Sequence, residues 1–198
     1  MTVSCKPTET KMTSAMLALP TMTADEFLRE YADDSRVELV DGHLRRLPMP
    51  GAEHGRVCVK AILTLGAFIE QHNLGRVMSN DTFIRTRTDP VGFRGADVCY
   101  ISFATLPADQ PMPVGHLIPP LELVVEVRSP SDSMPDMTEK AAEYNRAGVQ
   151  VVLVLDPQTE SVEVFREREL PQRFHTGDRL TLPDILPGFD VPIAKFFN

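Results

Sequence analysis

The stretch LELVVEVRSPSDSMPDMTEKAAEYNRAGVQVVLVLD, residues 121–156, contains the pattern that decides the fold. Residues 121–128 alternate with a period of two, which is typical of a β-strand, and the charged residues on one of its faces require an explanation. Ser133 begins a predicted helix that Gly148 ends, and the apolar run over residues 149–155 is typical of a strand buried on both faces. This order predicts an α/β fold with a central mixed β-sheet flanked by α-helices.

Regular patterns continue on both sides of this stretch. Thr23 begins a capping box, which predicts a short first helix. Asp41-Gly42 separates two strand-like runs and is a strong hairpin signal. A buried helix face is expected over residues 53–73, with Gly75 as a left-handed stop. Strands are predicted over residues 76–87, 96–103 and 161–165, a loop over 106–120, and short strands and turns after them.

Length and composition indicate one globular domain. The chain has 198 residues, of which 42% are hydrophobic and 24% charged, which excludes wholly disordered, collagen-like and coiled-coil classes. We expect a flexible N-terminal tail over residues 1–21, a single domain over residues 22–198 and no membrane span. The net charge of -8 differs from that of a DNA-coating protein, although carboxylates that bind metal ions lower the net charge even beside a basic groove.

The spacing of the cysteines and the absence of a phosphate loop argue against disulfides, thiolate zinc sites and nucleotide cofactors. Cys5, Cys58 and Cys99 are odd in number and far apart, which supports neither a disulfide framework nor a thiolate zinc site and indicates a reducing, cytoplasmic location. No phosphate loop of the GxGxxG or GxxxxGK[ST] type occurs, so no nucleotide cofactor is expected.

Three acidic residues on predicted strands, Glu38, Asp97 and Glu126, are the candidates for chemistry, together with Lys140 on the helix after the third strand. If the fold brings the carboxylates together, their repulsion requires a cation, and Mg²⁺ or Mn²⁺ prefers such oxygen ligands. A metal with a nearby lysine suits phosphodiester hydrolysis, because the lysine can position water or stabilise negative charge. A simpler interpretation also stands, with the acids solvated or in salt bridges and Lys140 paired with Asp136 at i,i+4.

Several short motifs follow one another in a characteristic order. They are VELVDG at 37–42, His54 at the start of the long helix, ADV at 96–98, LVVEVRSPS at 123–131, Lys140 with Tyr144, Gly148-Val149, and VLDP at 154–157. From about Met22 to the C-terminus, this order resembles the Uma family of restriction endonucleases, within the PD-(D/E)XK nuclease superfamily. The resemblance implies a restriction-endonuclease-like core, a DNA substrate and a divalent metal cofactor.

The resemblance also implies roles for single residues. Asp97 and Glu126 resemble the paired metal-binding carboxylates, and Glu38 resembles the additional acid from the N-terminal part of such sites. The superfamily's lysine usually lies two residues beyond the second carboxylate, where this chain has Arg128. Arg128 is therefore a candidate accessory residue, and Lys140 is the expected equivalent of the motif lysine.

Two other positions bear on activity. His54 matches a family position and is a candidate accessory residue that supports a ligand or contacts the substrate. Ala96 stands where the family usually has proline, which removes a φ restraint but keeps the Asp97 carboxylate. The sequence therefore predicts a Mg²⁺-dependent endodeoxyribonuclease that acts as a homodimer, with a catalytically inactive module that binds nucleic acid or a partner as the alternative.

Overall fold

The computed structural model describes residues 21–34 and 36–198, so the predicted tail over residues 1–21 lies outside the described part except for Thr21. The described residues form helices on both sides of a sheet. In chain order the elements are α1 (Ala24–Tyr31), β1 (Val37–Val40), β2 (His43–Arg46), α2 (Ala52–Ala61), a π-helical segment (Ile62–Gly66), α3 (Ala67–Gln71), β3 (Gly75–Thr88), β4 (Val91–Ser102), β5 (Leu121–Val127), α4 (Met134–Ala147), β6 (Val149–Asp156), β7 (Ser161–Arg166), β8 (Gln172–His175), β9 (Arg179–Leu182), β10 (Leu186–Pro192) and a 3-10 helix (Ile193–Phe196).

Eight of the strands form one mixed sheet. The order is β2-β1-β4-β5-β6-β7-β8, and β3 pairs with β4 outside this path. β5 and β6 are parallel and are connected through α4, whereas the other pairs in this sheet are antiparallel. β9 and β10 form a separate antiparallel pair. The expected α/β fold with a central mixed sheet is confirmed.

β4 has three strand partners on two edges. β3 pairs with it over most of residues 91–102. The other edge is shared, because β1 pairs at Phe93 and β5 pairs at residues 98–100. Among the described strands, none pairs with residues 94–97 on this shared edge. Buried backbone groups need hydrogen-bond partners, so this gap requires polar side chains.

Helices cover both faces of the sheet. α2, the π-helical segment and α3 pack with the C-terminal strands on one face, where Leu123 and Val125 of β5 are buried. α4 packs on the other face, against Val124. α1 covers the β1 end through Phe27. Every residue of β5 is buried, including its two glutamates, so these must have partners inside the protein.

Several predicted turns and caps are confirmed. Thr23 forms the capping box of α1. Asp41 and Gly42 have φ values of +50° and +76°, as the two central residues of a type I′ hairpin turn require. Ser133 caps α4, and Gly148, with a φ of +109°, ends it. Residues 106–120 contain no helix or named strand, as predicted.

The long helix and its end differ from the prediction. The helix runs from Ala52 to Gln71 and contains a π-helical segment, which apolar periodicity does not reveal because the same face stays buried. Asn73, with a φ of +50°, takes the left-handed conformation expected of Gly75. Gly75 is required for another reason, because a Cβ there would lie 2.1 Å from the carbonyl oxygen of Ile101.

In the antiparallel pair of β3 and β4, the second strand also begins earlier than predicted. β4 starts at Val91 instead of residue 96, because it pairs with β3 almost to the turn at Asp89-Pro90.

In the described part of the chain, no helix combines the length and apolar character that crossing a membrane requires.

Candidate functional site

A buried charged pair fills the gap on the shared edge of β4. Oε1 of Glu38, on β1, lies 2.9 Å from Nζ of Lys140, on α4. The N–H of Gly95 donates to Glu38 Oε1 at 3.3 Å, and Lys140 Nζ donates to the carbonyl of Gly95 at 3.2 Å. On the shared edge, where no described strand pairs with Gly95, the two side chains therefore bond the β4 backbone.

Glu126 of β5 joins the same network. Lys140 Nζ donates to Glu126 Oε2 at 2.8 Å, and the Tyr144 hydroxyl donates to Oε1 at 2.8 Å. Burial raises the pKa of Glu126 to about 8, with Lys140 opposing the rise and the charges of Asp97 and Glu38 adding to it. Glu126 therefore changes its charge near neutral pH.

Lys140 remains a cation in this environment. Burial lowers the pKa of Lys140, but the charges of Glu126 and Glu38 outweigh burial, so its pKa is raised above the ordinary value. For Glu38, burial raises the pKa but Lys140 and Arg94 outweigh it, so the pKa is lowered. Of the simpler interpretation, the salt bridges of the acids are observed, but the partner of Glu38 and Glu126 is Lys140, and the expected pair of Lys140 with Asp136 is not among the described contacts.

Asp97 lies beside Glu126. The last paired residues of β4 and β5 are Val98 and Val125, so Asp97 and Glu126 are the next residues on the two strands, and both line the same cleft. Asp97 Oδ2 accepts a hydrogen bond from the N–H of Val127 at 2.7 Å and lies 3.3 Å from His54 Nε2. Both contacts with described residues involve Oδ2, which leaves Oδ1 available as a ligand.

His54 and Cys58 lie one helical turn apart on α2. Cys58 Sγ is 3.6 Å from His54 Nδ1. The hydrogen bond to Asp97, followed by that to Cys58, raises the pKa of His54 to about 10. Burial raises the pKa of the Cys58 thiol. Sequence reasoning missed Cys58, because the H-x3-C spacing gains meaning only when the fold adds Asp97 from a distant strand.

Arg94 and Glu143 form a second buried pair next to Glu38, and sequence reasoning did not identify it. Arg94 NH1 donates to Glu38 Oε2 at 2.9 Å, and its Nε and NH2 donate to Glu143 Oε2 at 2.9 and 2.5 Å. Thr86 donates to the other oxygen of Glu143. The available signal was an arginine inside a strand that is mostly apolar.

Asp81 is a further acid in the same cleft that the sequence did not point out. A bulge between Ser79 and Thr82 interrupts the β3 ladder, and Asp81 adopts a φ of +55° there. A Cβ on Gly95 would lie 3.2 Å from the Cβ of Asp81, so the glycine allows this close approach. Burial, followed by the charge of Asp97, raises the pKa of Asp81.

Among the described residues, the contacts of Arg128 do not include Glu38, Asp97 or Glu126. Its NH1 donates to Asp156 Oδ2 at 2.8 Å, and its Nε donates to the carbonyl of Asp132 at 3.0 Å. Its guanidinium therefore fixes the segment between β5 and α4. The basic residue in contact with Glu126 is Lys140.

The donor set fits a hard divalent cation. Asp97 and Glu126 supply carboxylate oxygens, which Mg²⁺ and Mn²⁺ prefer. A carboxylate has about four lone-pair sites, so Lys140 and Tyr144 do not saturate Glu126. Glu38, Asp97, Glu126 and Lys140 line a cleft of about 480 Å³, a volume typical of ligand sites. Asp97 and Glu126 are thus the residues that could hold the ion.

Clustered acids and a lysine beside the central strands of a mixed sheet are features of restriction-endonuclease-like nucleases. Residues 24–194 match the model of the Uma2 family, described as "Putative restriction endonuclease". The match covers most of the chain, and the chain belongs to this family.

One solved structure is similar over nearly its whole length. It is a crystal structure of "a putative nuclease belonging to DUF820 from Anabaena variabilis", with a TM-score of 0.78, 18% identity, and coverage of 89% of this chain and 97% of that chain. At this identity the likeness shows the fold, which confirms the restriction-endonuclease-like core. The comparison with curated proteins gives no match. Family and fold together support a nuclease.

Proposed function

We propose that this protein is a Mg²⁺- or Mn²⁺-dependent endonuclease that hydrolyses DNA phosphodiester bonds. The observation that carries the proposal is the convergence of Glu38, Asp97, Glu126 and Lys140 in one cleft, at the gap on the shared edge of β4. Asp97 and Glu126 would hold the metal, which supplies Lewis-acid charge at the scissile phosphate and lowers the pKa of water.

Lys140 provides the fixed positive charge of the site. Its contacts of 2.8 and 2.9 Å to Glu126 and Glu38 hold the ammonium group in one place. Because its pKa is raised, Lys140 acts as a hydrogen-bond donor that positions water and stabilises negative charge on the phosphate, not as a general base. Glu38 assists by holding Lys140, and Tyr144 holds Glu126 in its orientation.

DNA would approach the cleft through a local basic rim. Arg36 and Arg45, next to β1 and on β2, line the cleft together with the start of α2. Both arginines are exposed, so they can contact phosphates at little desolvation cost. The acidic residues in the rest of the chain account for the net charge of -8, which predicts that DNA binds weakly to surfaces away from the cleft.

The test compares DNA cleavage by wild type with Asp97→Asn and Glu126→Gln, in Mg²⁺, Mn²⁺ or EDTA, on plasmid, linear and single-stranded DNA. Glu122→Gln is the matched control, because Glu122 is a buried glutamate of the same strand that accepts hydrogen bonds from Ser102 and Thr105. We expect metal-dependent cleavage by wild type and Glu122→Gln, and a loss of at least about 10²-fold in the two site variants.

Each outcome of this test has a definite meaning. Circular dichroism and thermal melting show whether each variant is folded. Wild-type-like cleavage by folded Glu126→Gln would contradict the site. Folded wild type that cuts none of the substrates, and that Mg²⁺ does not stabilise, would instead support the catalytically inactive binding module.

We further propose that residues 22–198 act as one nuclease domain and that two copies form a homodimer, since a double-strand cut requires two active sites. Limited proteolysis should leave a resistant fragment that begins near residue 22. Light scattering at the assay concentration should give the mass of a dimer, and a monomeric mass would contradict that part of the proposal.

A further inference from the structure

His54, Cys58 and Asp97 are candidate metal ligands of a different kind from the carboxylate pair. Their ligand atoms all lie within 4.8 Å of one another, and all three residues are half-buried. His54 and Cys58 share one face of α2 at i,i+4, the spacing at which a helix presents two ligands to one ion. Asp97 reaches them from β4.

The three side chains are close enough to share one ion once the imidazole ring has turned. With bonds of about 2.0–2.3 Å, two ligand atoms of a tetrahedral zinc ion are about 3.3–3.6 Å apart. His54 Nε2 lies 3.3 Å from Asp97 Oδ2, and Cys58 Sγ lies 3.6 Å from His54 Nδ1. The imidazole uses a different nitrogen in each contact, so its ring must turn to offer one nitrogen to an ion.

The ligand types determine which ion prefers this group. Thiolate and imidazole ligands favour zinc and related transition metals over Mg²⁺, which prefers oxygen. All three residues line the cleft, so a fourth position stays open to water or another ligand, as at a three-ligand zinc site. Cys99 cannot contribute, because it is buried in the opposite core with Val124 and Tyr144.

We propose that His54, Cys58 and Asp97 bind a zinc-type transition metal ion, and that this ion inhibits the enzyme because it shares the Asp97 carboxylate with the Mg²⁺ site and places a second dipositive charge beside it. The binding of the ion requires only these three ligands and does not depend on the proposed nuclease function. The inhibition rests on the proposed nuclease function, since it requires that Asp97 holds the catalytic metal. Zinc would thus act as a reversible inhibitor whose site overlaps the active site.

The binding test uses Co²⁺ as a spectroscopic probe with the full chain in a mildly alkaline, metal-free buffer. Cobalt bound to a thiolate gives a near-ultraviolet charge-transfer band. We expect this band at one equivalent of Co²⁺ in wild type, its loss in Cys58→Ser, and its retention in Cys5→Ser and Cys99→Ala. Zn²⁺ should remove the band from wild type, and excess Mg²⁺ should not. Absence of the band in wild type, or its persistence in Cys58→Ser, would overturn the site.

The inhibition test measures Mg²⁺-dependent DNA cleavage against Zn²⁺ concentration. Each protein is compared with its own rate in the absence of zinc, and Cys58→Ser should require at least about tenfold more Zn²⁺ than wild type for half inhibition. Equal inhibition of both proteins would overturn the inhibitory role. If wild type shows no cleavage but keeps the Cys58-dependent cobalt band, the metal site stands and the proposed nuclease function fails.

Discussion

Replacement of Arg94 by methionine should destabilise the protein strongly, because two buried glutamates depend on this side chain. Arg94 is 4% exposed and makes three hydrogen bonds, one to Glu38 and two to Glu143. Charge-assisted bonds are each worth about 1.5–3 kcal/mol, but loss of arginine also removes its own desolvation cost. The expected loss in the free energy of unfolding is therefore about 3–5 kcal/mol, as for other broken buried pairs.

Urea denaturation measures this loss, provided that the m-value is unchanged. Arg29→Met is the control, because Arg29 is exposed and its pair with Glu30 should contribute less than about 0.5 kcal/mol. In the double variant Arg94→Met/Glu143→Gln, removal of the second charge should recover at least about 1 kcal/mol relative to the sum of the single losses. A loss below about 1 kcal/mol in Arg94→Met, or strict additivity, would refute the reasoning.

Three other predictions concern the lysine, the titration of Glu126 and one glycine. Lys140→Met should lower the single-turnover rate of Mg²⁺-dependent cleavage about 10²–10³-fold while DNA binding persists, and an unchanged rate would contradict its role. The pKa of Glu126 is raised from 4.5 to about 8, so its protonation contributes stability that is present below pH 4.5 and lost as the pH rises through 8. Because the metal binds the ionised carboxylate, the Mg²⁺-induced rise in melting temperature should grow over the same pH range. A response that does not change with pH would argue against Glu126 as a ligand. Gly75→Ala should cost about 1–3 kcal/mol in urea denaturation because of the Ile101 carbonyl, whereas Gly177→Ala, with nothing within 4 Å of the added Cβ, should not.

Local signals predicted most of the elements, and the resemblance to the Uma family supplied the roles of the residues that meet in the cleft. The turn residues Asp41 and Gly42 and the cap residue Ser133 act within a few positions of themselves, so their patterns are readable from the chain. The polar face of the strand over residues 121–128 made Glu126 a candidate, but only the resemblance indicated that Lys140 on the following helix acts with it.

The features of the site that the sequence did not predict depend on contacts between distant segments of the chain. Pairing of Arg94 with Glu143 joins residues 49 positions apart, and no local pattern records which charges a fold buries together. Asp81 reaches the cleft only because of a bulge in β3, whose position depends on the register with β4. Arg128 occupies the usual sequence position of the motif lysine, yet its guanidinium bonds Asp156. The spacing of residues in the sequence does not fix which neighbour a long side chain contacts.

The shared edge of β4 links the integrity of the backbone to the state of the active-site side chains. The amide of Gly95 is bonded by Glu38, and the amide of Val127 is bonded by Asp97, where a sheet would otherwise use strand carbonyls. Hydrogen exchange at these two amides therefore reports directly on side chains of the site. Their exchange rates should respond to metal binding or to substitution of either acid even in protein that never turns over a substrate, whereas amides in the ladder between β6 and β7 should not respond.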